Sequence, residues 1–274
     1  MKIKRMQKNE FLSKYDVITL DELASDISDY YFPNSQIDPI VVAEQKGITY
    51  SFGNYGDSFD GLLEQENGAF HIFINLDKLR HAYSERARLT FGHELGHFFI
   101  DDHRNALLKG LSPSHCSLTG FKSRNKAERQ ADFFASCLLM PKERFRKYCY
   151  KKKFEFRIIQ ELAKKFGTSI SATALRFCTI GNHPIMVIYA YDKQIKWYWS
   201  SEDFPFKFLK FGKDKLPEDT VAGEYFDLGR KHTTTQQVFA MDWFNIWKDS
   251  QAEKPFYEHC LMNGKHTLSI IWED

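Results

Sequence analysis

Residues 90–99 read TFGHELGHFF, and residues 126–141 read KAERQADFFASCLLMP. The first stretch contains His93-Glu94-Leu95-Gly96-His97, an HExxH sequence. Leu89, Leu95, Phe98 and Phe99 recur at helical spacing, which predicts a helix from about Ser84 to Ile100 with an apolar side to bury. On a helix, residues i and i+4 share one face with Cβ atoms about 6 Å apart. Two imidazoles so placed can converge on one metal ion at ~2.0–2.1 Å. Glu94, one residue after the first histidine, is placed to reach a metal-activated water. Zinc brings the pKa of such a water towards ~7, and a nearby carboxylate can take its proton as it attacks a carbonyl. With 10 His in 274 residues, random placement gives about 0.02 such matches in a chain of this composition.

A catalytic zinc site generally uses three protein ligands and one open position. The sequence offers two candidates for the third. Glu128 lies in a predicted helix from Asn125 to Met140, which must stop before Pro141. Glu128-x-x-x-Asp132 puts two carboxylates on one helical face. Glu128 can bind the metal, while Asp132 accepts the second ring N–H of a liganding histidine. Asn125-x-x-Glu128 is also a capping-box pattern, which explains Glu128 without metal. The other candidate, His103, falls six residues after His97, at the metzincin spacing. Ile100 stands where that pattern has its turning glycine, and a β-branched residue resists the left-handed turn. Glu128 is therefore preferred. His115 and Cys116 read as loop residues; a second oxyanion donor is expected, and the sequence does not single one out among candidates such as Tyr83, His103 and His115.

The two stretches resemble the ImmA/IrrE family of metallopeptidases, in which an HExxH helix is followed by a motif like E-x-x-A-[N]-x-F-A-x-x-L-L-M-P. Asp132 stands where Asn is common. The resemblance implies an α+β, zincin-like core of the gluzincin type, with zinc on His93, His97 and Glu128, and Glu94 as the base. It also implies an intracellular endopeptidase whose substrate is a protein, as for members that cleave Xre-type helix-turn-helix repressors of mobile elements or stress regulons. The rival reading is a non-enzymatic regulator that binds DNA or protein and keeps a structural zinc.

Outward from this core, Thr19 and Glu22 look like the start of a helix over 19–31, and 38–46 like a short helix ended by Gly47. Strands are expected at 48–53, 60–65 and 69–75, the last two joined by Asn67-Gly68. Residues 155–166 and 170–178 read as two helices around Gly167, with helix-turn-helix spacing. Between Lys142 and Lys165 there are ten Lys or Arg and three Glu, a local charge of +7. A weak DNA contact through 142–177 follows, though Ser171, Ala172, Thr173 and Ala174 offer few side chains that read bases. After Gly181 the pattern alternates. Strands are expected at 185–191, 195–200 (Trp197 and Trp199 on one face), 236–244, 255–262 and 266–272. The expected organisation is a zincin-like metallopeptidase domain at 1–141, a helix-turn-helix-like segment at 142–180 and a smaller antiparallel β-rich domain at 181–274.

Composition bounds these readings. The chain is 43% hydrophobic and 27% charged with a net charge of +2, which excludes a disordered chain and a strongly cationic nucleic-acid coat protein. With 25 Phe and 13 Tyr, aromatic side chains fill much of the core. Five cysteines without a CxxC pair suggest free thiols in a reducing compartment. The N-terminus has no apolar stretch behind its basic residues, and the best apolar run, Phe133 to Met140, falls short of a membrane span. The expectation is a cytoplasmic protein with no membrane partner.

Overall fold

In the computed structural model of the protein, which describes residues 12–79, 81–111, 115–117 (backbone only), 125–212 and 215–273, Ser13 starts the first helix. Helix α1 (Lys14–Tyr31) opens on a capping box between Ser13 and Asp16, six residues before the Thr19–Glu22 pair expected to do so. The Ser13 hydroxyl accepts from the Asp16 N–H at 3.0 Å, and the Asp16 carboxylate accepts from the Ser13 N–H at 2.9 Å. This satisfies orphan donors at both ends of the first turn. Thr19 instead donates to the Tyr15 carbonyl inside the helix. The basic N-terminal run read for a targeting signal lies outside the described residues.

The chain divides into two compact units, one of residues 9–145 with 162–169, the other including 146–161 and 170–273. The helical stretch 142–180 is thus shared between them. Helices α6 (Lys142–Cys149) and α7 (Phe156–Phe166) each run from one unit into the other.

In the first unit, α2 (Pro39–Gln45) has Asp38 as N-cap and proline in its first turn, where a missing N–H costs nothing. Strands β1 (Thr49–Gly53), β2 (Gly61–Glu66), β3 (Ala69–Asn75) and β4 (His115–Ser117) form one sheet in the order β1-β3-β2-β4. The β1–β3 pair is parallel; β2 is antiparallel to both β3 and β4. The β2–β3 turn places Asn67 and Gly68 at φ 51° and 85°, as a tight hairpin requires. Leu63, Phe70, Ile72 and Ile74 are buried on one face of this sheet. Helix α3 (Glu85–Phe99) packs there, capped by the Ser84 hydroxyl. Ile100 then adopts extended angles, φ −76° and ψ 110°, and the chain restarts as α4 (Asp101–Leu108), a helix the sequence pattern did not announce.

Helix α5 (Lys126–Leu139) lies against both α1 and α3. Its approach to α3 depends on small residues. A methyl group at Gly96 would lie 3.0 Å from the Ala131 Cα, and one at Gly92 would lie 3.4 Å from the Ala135 Cβ. Gly92 and Gly96, four apart, meet Ala131 and Ala135, four apart, so the two helices can close to near backbone contact. The buried stripe of Ala131, Phe134, Ala135, Leu138 and Leu139 completes the seam.

The second unit is built on a five-stranded antiparallel sheet of order β6-β5-β9-β8-β7. Its strands are β5 (Ile185–Tyr191), β6 (Gln194–Ser200), β7 (Gln236–Phe239), β8 (Pro255–Asn263) and β9 (His266–Trp272). The strand expected over 236–244 ends at Phe239 and turns into the short α10 (Ala240–Trp243). One sheet face carries Met186, Ile188, Tyr198, Phe256 and Ile271 into an aromatic-rich core with Trp243 and Phe244. Helix α9 (Val221–Leu228) starts over a buried carboxylate. Glu258 accepts from the Val221 and Ala222 N–H groups, the Trp243 indole and the Ser269 hydroxyl, at 3.0, 3.2, 2.8 and 2.6 Å. Helix α8 (Ile170–Ile180) is buried at Ala172, Thr173, Ala174, Arg176 and Phe177. The fold is therefore α+β in both units. Among the described residues, no helix is long and apolar enough to cross a membrane.

Candidate metal centre

His93 and His97 lie one turn apart on α3, and both are buried. Their Nε2 atoms are 3.1 Å apart. Glu128, in the first turn of α5, divides its carboxylate between them, with Oε2 3.3 Å from His93 Nε2 and Oε1 3.4 Å from His97 Nε2. Among the described residues these three form a group able to hold a metal ion, with ligand atoms within 4.8 Å of one another. In a tetrahedral zinc site with bonds of ~2.0–2.1 Å, ligand atoms stand about 3.3 Å apart. The observed spacings match that edge, and two imidazoles with one carboxylate are an ordinary zinc donor set.

The site is oriented from behind. Asp132, one turn after Glu128, lies 2.8 Å from His93 Nδ1. It accepts the Nδ1–H, which fixes the ring and turns Nε2 towards Glu128 and His97. Asn125 caps α5 by accepting from the Ala127 N–H at 3.0 Å, while the Glu128 carboxylate turns to the histidines.

The electrostatics of these side chains follow from burial and their mutual pairing. Burial pulls the His93 pKa down, but the Asp132 and Glu128 carboxylates outweigh it and push it up to about 10. Burial pulls His97 down to about 3, aided by the positive charge on His93. Burial raises Glu128, yet its hydrogen bonds to both histidines hold it well below the usual carboxylate range.

Glu94 is fully buried on the side of α3 that faces β2. His103 stands outside the three-ligand group. Its Nε2 lies 3.0 Å from Gln130 Oε1, and Gln130 Nε2 donates to Asp16 at 3.0 Å. The His103 ring lies beside His97, centroid to centroid 5.1 Å. Tyr83 is exposed. The segment of His115 and Cys116, expected as loop, pairs with β2 as β4, and both side chains lie outside the described residues.

Residues 54–177 match the family model of the IrrE N-terminal-like domain, Peptidase_M78. The chain carries an IrrE N-terminal-like domain. This stretch contains the HExxH helix, Glu128 and Asp132, so the IrrE-like match and the clustered donors fall on the same elements. The chain is also similar in fold to a Mycobacterium tuberculosis transcriptional regulator, with a TM-score of 0.58 and 11% identity over 94% of this chain and 76% of that one. No match was found among proteins of curated function.

Proposed function

We propose that this IrrE-like protein is a zinc-dependent endopeptidase with a zincin-like core. The observation that carries the reading is the convergence of His93 Nε2, His97 Nε2 and the Glu128 carboxylate, with a buried glutamate adjoining the first ligand. His93, His97 and Glu128 would hold the ion, and Asp132 would orient His93. When bound, zinc supplies the Lewis acidity that brings the pKa of water to about 7 and polarises a carbonyl. Glu94 then takes a proton from the attacking water and delivers it to the leaving amine. Its burial keeps bulk water out of that transfer.

The substrate we favour is a cytoplasmic helix-turn-helix repressor of the Xre type, cut so that its target genes are released. The IrrE-like match and the likeness to a protein named a transcriptional regulator support a regulatory setting. Sequence readout of DNA by α8 is not part of this proposal, because its central residues are buried. The test is Glu94→Gln in the full-length protein, which keeps every metal ligand. Zinc should stay bound at wild-type stoichiometry while cleavage of a co-expressed repressor stops. Repressor inactivation that persists in the variant would support the rival reading, a non-enzymatic regulator with a structural zinc.

A further inference from the structure

Three residues of α3 face the start of β2: Arg86, Thr90 and Glu94, at positions i, i+4 and i+8 of one helical stripe. Arg86 donates to the buried carboxylate of Asp60 at 2.9 Å, which ties the residue before β2 to the first turn of α3. The next residue, Gly61, sits over the other two. A methyl group there would lie 2.5 Å from Glu94 Oε1 and 2.7 Å from the Thr90 Cγ2. Real Cβ atoms do not approach that closely, so either the carboxylate or the strand would have to move. The strand is held from both sides, because Gly61 pairs with Ile74 of β3 and with Ser117 of β4. The carboxylate is the part that can yield.

From this contact we infer that Gly61 is a positioning residue for the general base. The bare backbone of β2 forms the wall against which the Glu94 carboxylate rests. Its lack of a side chain keeps that carboxylate in its place beside His93. The inference rests on the reading of Glu94 as the base, but the contact itself can be tested separately. Gly61 is not in the left-handed region, and alanine in a strand interior ordinarily stabilises relative to glycine. Any loss from Gly61→Ala therefore reports the contacts of the new methyl with Glu94 and Thr90, which the background below separates.

The experiment uses the full chain with Thr90→Ser as background, which removes the methyl that Gly61→Ala would also meet. Gly61→Ala is introduced with Glu94 present and with Glu94→Ala, and urea midpoints are compared. The midpoint should fall with Glu94 present and stay level or rise with Glu94→Ala. Equal losses in both would overturn the inference. If Gly61→Ala fails to fold with Glu94 present, folding restored by Glu94→Ala supports the contact, and no restoration refutes it. In parallel, cobalt(II) replaces zinc, and its visible band is titrated with pH in wild type, Gly61→Ala and Glu94→Gln. Gly61→Ala should bind one cobalt per chain and move the pH midpoint in the same direction as Glu94→Gln. A wild-type midpoint, or loss of cobalt binding, would show that Gly61 does not act through the base. Neither measurement depends on peptide cleavage, so failure of the peptidase reading would be seen separately.

Discussion

Asp132 Oδ1 lies 2.8 Å from Nδ1 of His93, on the far side of the ring from the atom that points at Glu128 and His97. The two residues come from different helices, 39 positions apart. One short contact therefore ties the ring's tautomer to the docking of α5 on α3.

Asp132→Asn tests that tie. The amide can still occupy the place, but it brings no charge to hold the Nδ1 proton. The expected result is zinc affinity lower by about 10–100-fold, the usual size of such an outer partner's contribution. Competition against a chelator of known affinity measures it. Affinity within about twofold of wild type would mean that α5 docking alone orients His93.

Glu128→Gln and His103→Ala separate the two candidates for the third ligand. The first removes a carboxylate that spans both histidine Nε2 atoms, so zinc should be lost on dialysis against dilute chelator. The second removes a ring bonded to Gln130, outside the three-ligand group, so zinc should be retained. The reverse order in metal content would move the centre towards α4.

Gly96→Ala probes the close approach of the helices. Its methyl would press on the backbone of Ala131, which cannot rotate away. Overpacking of this kind costs about 1–3 kcal/mol. Because α5 carries Glu128, the same change should also weaken zinc binding. Unfolding in urea and metal titration read the two effects separately. A stability loss without any change in affinity would show that α5 gives way elsewhere along its length.

Metal binding should release protons. In the metal-free site His93 has its pKa pushed up to about 10, so it carries a proton at neutral pH, whereas His97, at about 3, does not. Zinc must displace the His93 proton. The logarithm of zinc affinity should then rise by about one for each pH unit between roughly 6 and 8. The sign for folding of the metal-free chain is the opposite. A histidine whose folded pKa is raised stabilises fully below the ordinary value of 6.5 and loses that contribution as pH rises through about 10. Calorimetry in buffers of different ionisation enthalpy counts the protons, and urea midpoints across pH test the second effect.

Much of this fold was legible because each element announces itself locally. The Asn67-Gly68 turn, the helix start near Ser84 and the stop before Pro141 were read from neighbouring residues, and the strands and helices they bound appear within a residue or two. The misses have local causes as well. Ser13-x-x-Asp16 competes with Thr19-x-x-Glu22 for the same helix start and wins because both of its hydrogen bonds form. Helix α4 follows α3 after a single extended residue, Ile100, so its period ran on from the HExxH helix and hid the break. The end of β7 at Phe239 is set by Asp242, which accepts from the Phe239 N–H at 2.7 Å and opens α10.

By itself, the sequence determined the pair of imidazoles. A spacing of four on a helix places them on one face whatever else the chain does. It also put Glu128 and Asp132 on a common face of a second helix. It could not decide whether that face meets the histidines or only caps its own helix. Tertiary structure decided this, through Gly92 and Gly96 lying against Ala131 and Ala135. The approach of two helices depends on the volumes of residues far apart in the chain. The same holds for Gly61, whose meaning exists only where β2 passes over Glu94.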